Sequence, residues 1–230
     1  MMRITVGEKL FYFTVFILAF FNKILGSIHN VEDMYMAIVN NKIFTIVYLP
    51  IFLYILLDKF SKRLKPEVII RYQSIKNWSI SNLKIIAVLS VRLSITFNVI
   101  TSIFMVICDT NILYNQDFYV FNYISIVVQS VGWCLIGMLF MNLISITNSI
   151  KLAYVLEIAF FLAIRLIMSP LSFISLRDYI VPIWDTMFFY EFNREYMTMI
   201  KYLSMNIIII IILFVIYSHL VKKRDLKIER

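Results

Sequence analysis

The chain has 230 residues, 61% of them hydrophobic and only 16% charged, well outside the roughly 45–50% apolar and about 25% charged residues of soluble domains. One soluble core of this size cannot hide so much apolar surface, and no hydrophilic stretch is long enough to fold separately, so no ATPase, kinase or DNA-binding domain is expected here. The net charge of +8 does not point to nucleic acid, because the basic residues sit between hydrophobic runs rather than on one polar surface.

In chain order, six runs meet or approach the ~20 apolar residues that a helix needs to cross about 30 Å of hydrocarbon. They lie at about 10–28, 43–57, 83–108, 118–146, 152–168 and 202–221. The second is short and holds Pro50, and the last contains the unbroken run Ile207–Ile212. Arg3 and Lys9 ahead of the first run also fit a secretory signal, but Leu25-Gly26-Ser27 lacks the small-residue cleavage pattern. The fold class read from this pattern is an all-α membrane protein with six transmembrane helices in a single domain, 1–230.

Orientation follows from Lys and Arg in the connections. Alternate connections carry fifteen bases on one side and five on the other, with Arg92 and Arg165 inside spans. An even number of spans then puts both termini on the basic side, the cytoplasm. The richness in Ile, Asn, Lys, Tyr and Phe resembles the product of an AT-rich bacterial genome, so the expected location is a bacterial plasma membrane, crossed several times.

Two connections exceed a simple turn. The basic segment 58–82 contains Pro66, which can begin a helix, followed by Val68, Ile69, Tyr72, Ile75 and Trp78 at helical spacing. The segment 169–201 on the opposite side holds Pro170, Pro182, Trp184, Phe188, Phe189, Tyr190 and several acids. A pair of short helices dipping back into the interface fits it better than an extended loop.

Arg92, Glu157 and Arg165 lie within spans, where a charge needs a partner or water. From the boundaries Lys84 and Lys151, Arg92 is about 12 Å deep and Glu157 about 9 Å deep at 1.5 Å per residue, so depth and sign predict an Arg92–Glu157 pair. Arg165 is within reach of Asp109 or Asp178 near the other end. These charges either fix helix packing or line a substrate path. Lys23 can snorkel to the interface.

Catalytic chemistry is not expected. There is no G-x-x-x-x-G-K-[ST] loop and no G-x-S-x-G elbow. His29 and His219 fall on opposite sides of the membrane, so no metal site and no cofactor is expected. Cys108 and Cys134 match no disulfide or metal spacing and read as packing residues. Gly132 and Gly137 are five apart and make no G-x-x-x-G motif. Tyr12, Tyr48, Trp133, Tyr202 and Tyr217 read as ordinary span-end aromatics.

The stretch Pro66-Glu67-Val68-Ile69-Ile70-Arg71-Tyr72-Gln73-Ser74-Ile75-Lys76-Asn77-Trp78 resembles the E-x-x-x-R-Y-x-S-x-x-x-W stretch of small permeases serving antimicrobial-peptide export or immunity in Gram-positive bacteria. With the six-span layout, the chain resembles permease subunits of bacterial ATP-binding-cassette (ABC) exporters of the type-2 export class. The resemblance implies a coupling helix that docks on a separate ABC ATPase subunit through Glu67, Arg71, Tyr72, Lys76 and Trp78. It also implies a second permease copy or paralogue, ATP hydrolysis on the partner alone, and a hydrophobic or amphipathic peptide as cargo. The nine residues before the first span are shorter than the amphipathic N-terminal helix of some members. A basic helix lying on anionic membrane lipid is the other reading of the same segment. A stand-alone immunity protein or a small secondary transporter is the alternative for the whole chain.

Overall fold

The computed structural model describes residues 4–25, 31–61, 63, 75–168, 187–188 and 196–228, and every regular element among them is helical. Helix α1 (Val6–Leu25) opens on a reciprocal cap. The Thr5 N–H donates to Glu8 Oε2 at 2.7 Å, and the Glu8 N–H donates to Thr5 Oγ1 at 3.3 Å. Each side chain thereby satisfies a backbone donor that the helix start would leave unpaired. Phe11, Val15 and Ala19 are buried at four-residue spacing, while Phe13, Phe16, Phe20 and Phe21 are exposed.

Helix α2 (Val31–Val39), in a connection where no helix was expected, turns Met34, Tyr35, Ile38 and Val39 into the core. A single turn, Asn41–Ile43, leads into a π-helical segment, Phe44–Tyr48, and then into α3 (Leu49–Ser61). Pro50 accounts for the widened turn. Proline has no N–H, and its ring would strike the carbonyl four residues back; the preceding Leu49 N–H instead reaches Phe44 O, five residues back. The helix passes through the proline, so Phe44–Ser61 forms one 18-residue element where the expected span, 43–57, was shorter.

Helix α4 (Ile75–Cys108) has 34 residues, about 51 Å at 1.5 Å per residue. Residues 75–82, placed in the connecting segment from sequence, are therefore the first turns of this helix. A 3-10 turn, Thr110–Tyr114, is capped by Asp109, whose side chain accepts from the Asn111 N–H at 2.9 Å. Asn115 caps α5 (Gln116–Thr147) in the same way through the Asp117 N–H. Asn148 ends α5 in the left-handed conformation with φ 59°, and its N–H donates to Ile144 O. That tight stop turns the chain at once into α6 (Ile150–Met168). The last helix is α7 (Tyr196–Ile228).

Helix α5 is the hub, packed by α4, α6 and α7, while α1 and α2 pack on α4 and α3 packs against α1 and α6. Of its membrane-length window 61% is buried, against 11% for α7, which lies at the rim. Close approach of α4 and α5 depends on Gly137, where an added Cβ would stand 2.5 Å from Ile86 Cγ2. Gly132 leaves room for Met187. Trp133, expected at a span end, is instead buried mid-bundle against Phe52, Phe44 and Phe11 at ring separations of 4.7, 5.6 and 6.0 Å.

Helix α4 shows which solvent the bundle suits. Val88, Val91, Ile95, Val99, Ile103 and Ile107 form an exposed apolar stripe, whereas Ser90, Ser94, Asn98 and Thr101 are buried. That is the reverse of a soluble amphipathic helix, and such an apolar surface is stable only against lipid or a partner. Phe44–Ser61, Lys76–Cys108, Gln116–Thr147 and Ile200–Lys222 are long and apolar enough to cross a membrane. Helices α1 and α6 have 20 and 19 residues, but any 18-residue stretch of α1 includes Glu8, Lys9 and Lys23, and any such stretch of α6 includes Lys151, Glu157 and Arg165. Their charges, and not their lengths, set them apart. The described residues are all helical apart from short turns, and these four long apolar helices fit a membrane protein.

Candidate functional site

The start of α1, the end of α3, the start of α4 and the end of α7 meet at one end of the bundle, and polar side chains concentrate there. Glu8 is fully buried. Besides its capping role, its Oε1 stands 3.4 Å from Arg92 Nη1 and its Oε2 3.7 Å from Lys59 Nζ. One carboxylate thus ties α1 to α3 and α4. The close passage of α1 over α3 that permits this runs through Gly7, where a Cβ would meet Ile55 Cγ1 at 2.7 Å.

This corrects the expected Arg92–Glu157 pair. Depth along the membrane normal says nothing of direction around a helix, and α4 turns Arg92 towards α1. Glu157, on the face of α6 that packs on α3 and α5, is fully buried, and neither of its oxygens has a hydrogen-bond partner. Nearby on α6, the Tyr154 hydroxyl donates to Pro50 O at 3.4 Å. Arg165, in the last turn of α6, makes no ion pair among the described residues; Asp109 serves as a cap, and Asp178 lies outside the described residues.

A second cluster lies beside the first. Arg63 Nη1 donates to Asn82 Oδ1 at 3.2 Å and to Ser81 Oγ at 3.3 Å. Asn82 Nδ2 donates to the Tyr217 hydroxyl at 3.0 Å, linking α4 to α7. Trp78 is buried against Tyr217, with ring centroids 6.1 Å apart. Of the five expected docking residues, Glu67, Arg71 and Tyr72 lie outside the described residues. Lys76 is exposed, and Trp78 is part of the core. The ring of Trp78 therefore anchors α4 and is not displayed to a partner.

Deeper in the bundle, a buried polar chain crosses three helices. Asn98 Nδ2 donates to Gln129 Oε1 at 2.8 Å, and Gln129 Nε2 donates to the Tyr35 hydroxyl at 3.3 Å. Asn142 Nδ2 donates to Leu213 O at 3.0 Å, joining α5 to α7. Of the expected outer segment 169–201, Met187 and Phe188 are buried, and Phe188 packs on Phe44 and Phe97 at 5.6 and 5.7 Å.

Glu8 and Asn82 were not singled out from sequence, and Tyr217 was read only as a span-end aromatic. Thr5-Val6-Gly7-Glu8 carries a capping-box pattern that would have marked Glu8; the other two leave no local signal. No group of three or more His, Cys, Asp or Glu side chains converges among the described residues. The arrangement binds helices together. Comparison with protein-family models, curated proteins and solved structures found no match to this chain.

Proposed function

We propose that this chain is the permease subunit of a bacterial ABC exporter of the type-2 export class. It crosses the plasma membrane six times with both termini in the cytoplasm, α1 and α6 completing the set. A separate ATPase subunit supplies the hydrolysis, and a second permease copy or paralogue completes the path for a hydrophobic or amphipathic peptide, in export or in immunity.

The supporting observation is the anchoring of both flanks of the segment between α3 and α4. On one side Lys59 is held by Glu8 of α1. On the other, Arg63 reaches Asn82, Asn82 reaches Tyr217, and Trp78 packs on the same tyrosine of α7. A push delivered between residues 63 and 75 reaches α1, α4 and α7 through bonded groups, as a coupling element requires. The resemblance of Glu67 to Trp78 to the permease stretch supports the same reading.

The test is capture of the tagged chain from its native membranes after cross-linking, with photolabelling by an azido-ATP. A second, ATP-labelled chain is expected, and it should be lost from the Glu67→Lys, Arg71→Glu double variant while membrane insertion is retained. Absence of an ATP-labelled partner, or capture unchanged in the double variant, contradicts the proposal. The buried Glu157 is the one observation that favours a secondary transporter, since intramembrane carboxyls serve ion relays. That reading expects transport that follows a proton gradient and needs no ATP-binding chain.

A further inference from the structure

Between α4 and α7, at the end of the bundle that holds Glu8, lies a groove of about 530 Å³ lined by Lys76, Ser79, Ile80, Phe214, Val215 and Ser218, with Lys222 at its rim. That volume falls among those of small-molecule sites, roughly 300–1,000 Å³. We propose that the groove holds one anionic phospholipid, its phosphate between Lys76 and Lys222 and an acyl chain against Ile80, Phe214 and Val215.

The order of side chains along the two helices carries the assignment. Lys76 is the second residue of α4 and Lys222 lies near the end of α7, and both line the groove at that end. Ile80 is about 6 Å further in along α4, and Phe214 about 12 Å further in along α7, at 1.5 Å per residue. The groove is cationic at the mouth and apolar below, with hydroxyls of Ser79 and Ser218 in its lining. That sequence of chemistry matches an amphiphile with a negative head. Neither lysine pairs with an acid among the described residues, and both are exposed.

Ser79 adds an independent sign. It is 1% exposed, and its Oγ has no hydrogen-bond partner. A buried hydroxyl without a partner is costly, and a headgroup or ester oxygen would satisfy it. Entry from the side is open, because Ile80 and Val215 in the groove's lining are exposed on a bundle with an apolar exterior. The inference rests on the membrane reading alone and is independent of an ATPase partner.

Native mass spectrometry of the purified full chain, titrated with phosphatidylglycerol and with phosphatidylcholine of the same acyl chains, tests it. One phosphatidylglycerol should bind in preference. Lys76→Ala with Lys222→Ala should lower that preference about thirtyfold, from roughly one kcal/mol per lysine at a membrane surface converted at about 1.4 kcal/mol per decade. Lys76→Arg with Lys222→Arg should retain it, and Lys151→Ala, an exposed base on α6, should leave it unchanged. Val215→Trp should block binding with both lysines present. Three results would overturn the proposal: undiminished preference in the double alanine variant, an equal loss in Lys151→Ala, or competition by soluble glycerophosphoglycerol as strong as by the lipid.

Discussion

The guanidinium of Arg92 meets Glu8, 3.4 Å from Nη1 to Oε1, across the contact of α1 and α4. Glu8 also caps its own helix and faces Lys59, so three structural tasks converge on one buried carboxylate. Removing it leaves Lys59 and Arg92 without their counter-charge. Glu8→Ala should destabilise the bundle by about 3 kcal/mol, the range for breaking a buried pair from one side, read as a lower unfolding midpoint in detergent. Glu8→Arg with Arg92→Glu should recover part of that loss, whereas Arg92→Glu with Glu157→Arg should recover none. Recovery in the second pair alone would reverse the assignment.

Glu157 should respond with the opposite sign. It is as deeply buried as Glu8 but has neither an ion pair nor a hydrogen bond among the described residues. Glu157→Gln removes an ionisable group that the fold does not compensate, so the variant should be at least as stable as the parent chain. A clear drop in midpoint in the same assay would mean that Glu157 has a structural partner.

How much of this was legible in sequence depends on the quantity asked for. The apolar runs at 118–146, 152–168 and 202–221 fall within α5, α6 and α7, because hydropathy reports length and position along a helix directly. Helix α2 was missed: its nine residues are too few for a span, and Glu32 and Asp33 made the segment read as polar connection. The partner of Arg92 was missed because depth fixes only one of two coordinates, the other being the angle around the helix. Glu8 also fell two residues before the expected start of the first span. Trp78 shows the converse. It was placed on a helix and lies on α4, but helical spacing alone does not say whether a residue meets a partner or the chain's own α7.

The contact of α4 with α5 should be sensitive to side-chain size at Gly137. A Cβ there collides with Ile86, and overpacking a filled site costs typically 1–3 kcal/mol. Gly137→Val should be destabilised by about that amount, and Ile86→Ala should restore part of it in the double variant. Equal midpoints for Gly137→Val and the parent would contradict the packing described.

The polar chain Asn98–Gln129–Tyr35 should contribute modestly. Hydrogen bonds between membrane helices average about 0.6 kcal/mol and reach about 1.7. A double-mutant cycle of Asn98→Leu and Gln129→Leu should give a coupling energy within that range. A coupling near zero would mean that the 2.8 Å bond adds nothing to the association of α4 with α5.

The export mechanism proposed above depends on which side of the membrane holds the Glu8 end. Single cysteines settle this directly, placed in a background with Cys108 and Cys134 replaced by serine. Tyr114 is 91% exposed in the turn between α4 and α5, while Lys76, in the first turn of α4, and Lys151, in the first turn of α6 just after α5 ends, are exposed at the other end. An impermeant maleimide should label Tyr114→Cys on intact cells, and should reach Lys76→Cys and Lys151→Cys only after the cells are opened. Labelling of Lys76→Cys or Lys151→Cys from outside, with Tyr114→Cys protected, would turn the protein over and remove the cytoplasmic docking site on which the export mechanism stands.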